Sequence, residues 1–195
     1  MHFVKPKIKM KNNKTIVIAA LILVLLLVSP ILVQSEDKKK ALPNTPRGLA
    51  QLFCKLDFEG VRLSTDNYQK SVMPQFLVEA EQESPGWDTV VLISKYKIEK
   101  EIIKGKQATV TVSYQVVGIM SNELTVSNHK EPYTFRLKKQ QNKWVLLEPY
   151  DLPQHISIDT AIKHLAWLLK VQGSVEPSTP ENVRKLKQLK AGLNK

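Results

Sequence analysis

Residues 90–116 read VVLISKYKIEKEIIKGKQATVTVSYQV. Val90, Leu92, Tyr96, Ile98 and Ile102 alternate with Val91, Ile93, Lys95, Lys97, Glu99 and Glu101. After Gly105, Ala108, Val110, Val112, Tyr114 and Val116 alternate with Thr109, Thr111, Ser113 and Gln115. Side chains of a strand point to opposite faces in turn, so this period of two predicts a long antiparallel hairpin with one apolar and one mostly polar face. Gly105 sits where the chain must reverse.

Working outward, a third strand is expected around Tyr133, Phe135 and Leu137, with Arg136 and Lys138 on its other side. Gln141-Asn142 marks a turn, and Trp144-Val145-Leu146-Leu147 reads as a fourth strand. Upstream the period is helical. Thr45 can cap a helix that opens with Pro46, and Leu49, Leu52, Phe53 and Leu56 share one side of it. Gly60 lets that helix end, and Ser64 and Asp66 start a shorter one carrying Tyr68 and Val72. Pro74 kinks it, and an apolar stripe (Phe76, Leu77, Ala80) continues to about Glu83, before the Pro85-Gly86 turn. Downstream, Ser157 caps a helix whose stripe of Ile158, Ala161, Ile162, Leu165, Ala166, Leu168 and Leu169 is too wide for an exposed surface helix. Its cover is the domain's own sheet, a partner or the membrane, which makes Leu165 and Leu169 interaction candidates.

The amino terminus has a different character. Ile16–Val33, IVIAALILVLLLVSPILV, carries no charge, and at ~1.5 Å per residue a helix of this length nearly crosses a ~30 Å hydrocarbon core. Five lysines precede it within residues 1–14, and no acid occurs in residues 1–35. By the positive-inside rule the chain is expected to be a single-pass inner-membrane protein, amino terminus cytoplasmic and domain periplasmic. The alternative is a signal peptide cleaved near Ser35, giving a secreted periplasmic protein. The organisation expected is a basic tail (1–14), a transmembrane anchor or signal segment (15–34), a linker (35–46), an α+β domain (47–172), and a linker with a short basic tail helix (173–195).

The formal charge of +11 drops to +6 once those five lysines are set aside, so no nucleic-acid partner is expected. Lys95, Lys97, Arg136 and Lys138 could form a basic patch for acidic lipid, polymer or protein, or simply a solvated face. Cys54 is the only cysteine, so an internal disulfide and a Cys-x-x-Cys metal site are both ruled out. His2, His129, His155 and His164 have no ligand spacing with a third donor, and no metal or other cofactor is expected. Neither a Gly-x-Ser-x-Gly elbow nor a glycine-rich phosphate loop occurs.

Leading helices followed by a hairpinned four-strand sheet give a resemblance to the nuclear transport factor 2-like superfamily, whose cone-shaped fold is shared with ketosteroid isomerase and polyketide cyclases. The residues carrying it are Gly48–Asp57, the Asp57-Phe58-Glu59-Gly60 segment with Arg62-Leu63-Ser64, the strands Tyr96–Ile103 and Ala108–Tyr114, and Phe135-Arg136-Leu137 with Asn142-Lys143-Trp144-Val145. An anchored member also resembles the periplasmic scaffold subunit of type IV secretion machines. The resemblance implies helices packed on a curved antiparallel sheet, with the helix at 157–170 as an addition. It also implies that a ligand would enter the cone, where Tyr96 and Tyr114 are the candidate lining residues and Asp57 could reach the mouth. No acid–base pair falls on the inferred inner faces, so a non-catalytic interaction or assembly module is expected, as a partner-bound protein or a homo-oligomer. A small apolar-ligand carrier or weak enzyme is the alternative.

Overall fold

The structure, a computed structural model, describes residues 42–78, 89–147, 152–171 and 179–193, all within one compact unit. The apolar run at 16–33 and the stripe beyond Val78 lie outside the described residues. Among the described residues, no helix is long and apolar enough to cross a membrane.

Helix α1 (Pro46–Phe58) begins as its sequence dictates: Thr45 Oγ1 accepts the Gly48 N–H at 3.1 Å, and proline occupies the first turn. Leu49, Ala50, Phe53, Cys54 and Asp57 form its buried face. Gly60, with φ +79°, turns the chain out of the helix into a short 3-10 turn, Val61–Leu63. A side chain there would also strike Thr160, so glycine is required twice over. Ser64 caps the short helix α2 (Thr65–Lys70), and a second 3-10 turn spans Met73–Phe76.

Five strands follow: β1 (Val90–Lys104), β2 (Gln107–Met120), β3 (Leu124–Gln140), β4 (Lys143–Leu147) and β5 (Gln154–Ser157). They form one curled sheet in the order β4-β3-β2-β1-β5. The hairpins pair antiparallel, whereas β5 runs parallel to β1 over Val90–Ile93, so the sheet is mixed and not antiparallel throughout. The period-two pattern could not show β5, because Gln-His-Ile-Ser has no alternation to detect. Helix α1 touches β1 and β2 in the middle of the sheet and also β4 and β5 at its two margins. A single helix can reach both margins only where the sheet wraps around it.

Inside this curl lies the larger core, with Phe53, Met73, Phe76, Ile93, Val110, Val112, Tyr114, Phe135, Leu137 and Leu146 all but fully buried. The β1 alternation also needs correction. Val91, Ile93 and Ile98 face this core, while Val90 and Leu92 face the other side. A register shift between Ile93 and Lys95 makes Ser94 an extra residue and reverses the faces that follow, until a second shift at Glu99 reverses them again and puts Ile102 on the outer side.

Helix α3 (Ile158–Val171) and helix α4 (Thr179–Leu193) cover the outer side of the sheet at the Val90 end. Ser157 Oγ caps α3 by accepting the Thr160 N–H at 3.0 Å. Val90, Leu92, Met120, Leu124, Ile156, Ala161, Leu165 and Leu186 make this second core. Asn182 accepts the Leu124 N–H and donates to the Asn122 carbonyl, and Lys190 meets Asp159 at 2.6 Å. The basic carboxy-terminal helix is thus packed against the domain.

Candidate functional site

Two regions carry polar chemistry. The first is buried. Asp57 lies two turns along α1 from Leu49, on the same inward face, and is 1% exposed. Its carboxylate takes Arg62 in a forked pair, Nε to Oδ1 at 2.8 Å and Nη2 to Oδ2 at 2.9 Å, and also accepts the His155 backbone N–H at 2.8 Å. Arg62 spends its other donors on the Leu152 and Pro153 carbonyls, and Gln154 Nε2 donates to the Arg62 carbonyl. A buried guanidinium and carboxylate are tolerated only with geometry of this quality. The result clamps α1, the turn after Gly60 and β5 together.

The His155 ring stacks on Tyr114 with centroids 4.1 Å apart. Its Nδ1 faces the Pro153 carbonyl at 2.8 Å, and a carbonyl can only accept, so Nδ1 carries the proton. Nε2 then offers a lone pair, has no hydrogen-bond partner among the described residues, and lies 3.7 Å from Glu131 Oε1. Burial lowers the His155 pKa; Asp57 and Glu131 pull the other way without prevailing. Cys54 Sγ and Tyr114 Oη share a hydrogen bond of 3.3 Å. Burial pushes the Cys54 thiol up to about 12 and raises the Tyr114 phenol well above its ordinary value. Neither supplies an anion at neutral pH, so neither is poised as a nucleophile.

The three ligand candidates read from the sequence do come together here. Tyr96 and Tyr114 are opposite one another in register, and Asp57 lies one turn beyond the cysteine that Tyr114 touches. Asp57 and Tyr114 are enclosed and internally bonded, however, while Tyr96 is half-buried and meets Phe58 edge-on at 6.0 Å. Asp57 is therefore a structural anion, not a group at a pocket mouth. Leu165 is 5% exposed and spent on the second core; Leu169, 39% exposed, faces outward with Trp167 and Val171. Sequence reading missed Arg62 and His155. A charged residue between Val61 and Leu63, two positions after a helix-ending glycine, was the available signal for the first. His155 had none. Among the described residues no group of three His, Cys, Asp or Glu side chains is placed to hold a metal ion.

The second region is the outer side of the sheet beyond the Ser94 bulge. The register sets Lys95, Lys97, Lys100, Ile102 and Lys104 of β1 beside Gln115, Ser113, Thr111, Thr109 and Gln107 of β2. Next come Lys130, Pro132, Thr134, Arg136 and Lys138 of β3, then Leu147, Val145 and Lys143 of β4. These rows hold eight basic residues, no acid and no aromatic ring. Glu99, extra at a second bulge, pairs with Lys97 at 3.0 Å, and Thr111 bonds Thr134 at 3.2 Å. Lysines on an exposed strand edge guard against unwanted pairing, and that accounts for β1, which β5 accompanies only as far as Ile93. It does not account for Arg136 and Lys138, which sit between two partner strands.

No family model, no curated protein and no solved structure matches this chain.

Proposed function

We propose that this protein is a non-catalytic interaction module whose working surface is the basic outer face of the sheet and whose partner is polyanionic. One observation carries the reading: among the described residues, eight basic side chains occupy that face against a single acid, Glu99, which Lys97 holds, while Cys54, Asp57, Tyr114 and His155 are enclosed. Charge of one sign on an extended surface raises the local concentration of an opposite partner and speeds its approach. The absence of aromatic rings on the face argues against single-stranded nucleic acid, which is held by base stacking. The carrier or weak-enzyme alternative draws less support, because Phe53, Tyr114 and Phe135 fill the interior that would hold the ligand. Kinship with the nuclear transport factor 2-like fold stays a proposal, supported by the sheet's curl around α1. An inner-membrane location with the domain periplasmic is likewise proposed, on the charge pattern around residues 16–33.

The test is retention of the full chain on immobilised heparin, held in phosphatidylcholine nanodiscs to accommodate its apolar segment. Reversing Lys95, Lys97 and Lys138 to Glu should shift elution to markedly lower salt. The same change at the exposed Lys163, Lys170 and Lys187 should shift it much less. Equal shifts would mean that net charge alone governs binding, and the reading would fail.

A further inference from the structure

We propose that a cleft on this basic face is a binding site for a small anionic amphiphile, a phosphate or carboxylate head joined to a short apolar chain. The inference rests on the outer face being the working surface and adds a ligand class to it. One register row, Ile102–Thr109–Arg136–Leu147, crosses all four strands, and a cleft of about 320 Å³ opens around it. Its lining is divided in kind. Ile102 and Leu147 bring apolar side chains to it, while Ala108 and Leu137, whose side chains belong to the inner core, border it along the strands. Lys104 and Arg136 are exposed and line the same cleft, and none of its described lining residues is acidic.

Each half of that lining selects one half of the ligand. The guanidinium of Arg136 brings a fixed positive charge to a phosphate or carboxylate, and the Lys104 ammonium lining the same cleft adds a second. Apolar carbon against Ile102 and Leu147 leaves water at a gain set by its area. The volume is at the small end of ligand sites, so a short chain fits and a bulky ring system does not.

Calorimetric titration of the full chain in phosphatidylcholine nanodiscs, corrected for empty discs, tests this with three probes. Hexyl phosphate should bind one to one and saturably. Inorganic phosphate, with the same head and no chain, should bind about tenfold more weakly or worse, the loss expected for two methylenes left in water. Hexylammonium should not bind. Ile102→Asn, at an exposed position, should bring hexyl phosphate down to the level of inorganic phosphate while leaving heparin retention in place. Arg136→Gln should weaken both anions. Equal binding of hexyl and inorganic phosphate, or an Ile102→Asn variant that keeps the preference, would overturn the cleft proposal while heparin retention kept the outer-face reading alive. Loss of face-specific heparin retention in the wild-type comparison would overturn both.

Discussion

One side of the sheet is treated in opposite ways at its two ends. At the Val90–Leu92 end it is apolar, and α3 and α4 cover it, with Leu165 and Leu186 pressed against the strands. Past Ser94 the same side turns to Lys95, Lys97, Lys100 and Lys104, and the register rows there hold no acid. Two extra residues set this arrangement. The bulge at Ser94 swaps faces so that Tyr96 and Ile98 turn inward and Lys95 and Lys97 outward, and the bulge at Glu99 swaps them again, which leaves Lys100 and Lys104 outside. What the contrast teaches is that the carboxy-terminal helices complete the fold at one end only, and the open end is a surface in its own right.

The comparison can be sharpened first at the clamp that holds α1 inside the curl. Asp57→Ala leaves Arg62 charged and buried, which costs about 3–5 kcal/mol. At roughly 2–4 °C per kcal/mol for a domain of this size, melting should fall by about 10 °C or more. Asp57→Leu combined with Arg62→Met should recover most of that loss, because no unpaired charge remains. A thermal melt showing the double variant worse than either single would break the account of the clamp.

The two ends themselves come next. Leu165→Ala, at the covered end, should cost about 2–5 kcal/mol through the cavity it leaves. Ile102→Asn, at the open end, should stay within about 0.5 kcal/mol of wild type. Comparable losses from both would mean that the open end is covered too, and the contrast would vanish.

A smaller effect should appear with pH. Burial holds the folded His155 pKa below its ordinary 6.5, so the unfolded chain takes up the proton first. The stability this contributes is complete above about pH 7 and declines as pH falls below 6.5. His164, also lowered by burial, adds a decline of the same sign. His155→Gln should flatten most of the slope between pH 7 and 5, measured by urea unfolding, and His164→Gln less. An unchanged slope in His155→Gln would show that the ring titrates freely.

The hairpin was legible because a half-buried strand writes its burial into every second letter, and the Tyr96–Tyr114 pairing came with it. The Ser94 bulge was not: Val90 to Ile93 are apolar on both faces, so the phase before it could be set either way. Strand β5 was hidden because its Gln154 and His155 are buried through contacts with Arg62 and Asp57, distant in sequence. Asp57 was half legible. It falls on the Leu49–Phe53 line of α1, but a lone acid near a helix end reads as solvated until its arginine is known. The basic face was read from four residues, Lys95, Lys97, Arg136 and Lys138. Only the register showed that Lys100, Lys104, Lys130 and Lys143 join them on the same side.

The central claim, that the open end of the sheet is the working surface, is tested most directly by a lysine footprint. The full chain in nanodiscs is acetylated with and without heparin, and each lysine is quantified by peptide mass spectrometry. Lys95, Lys97, Lys100, Lys104 and Lys138 should be protected together, while Lys163, Lys170 and Lys187 on the covering helices react as before. Uniform protection, or protection centred on those helices, would contradict the assignment.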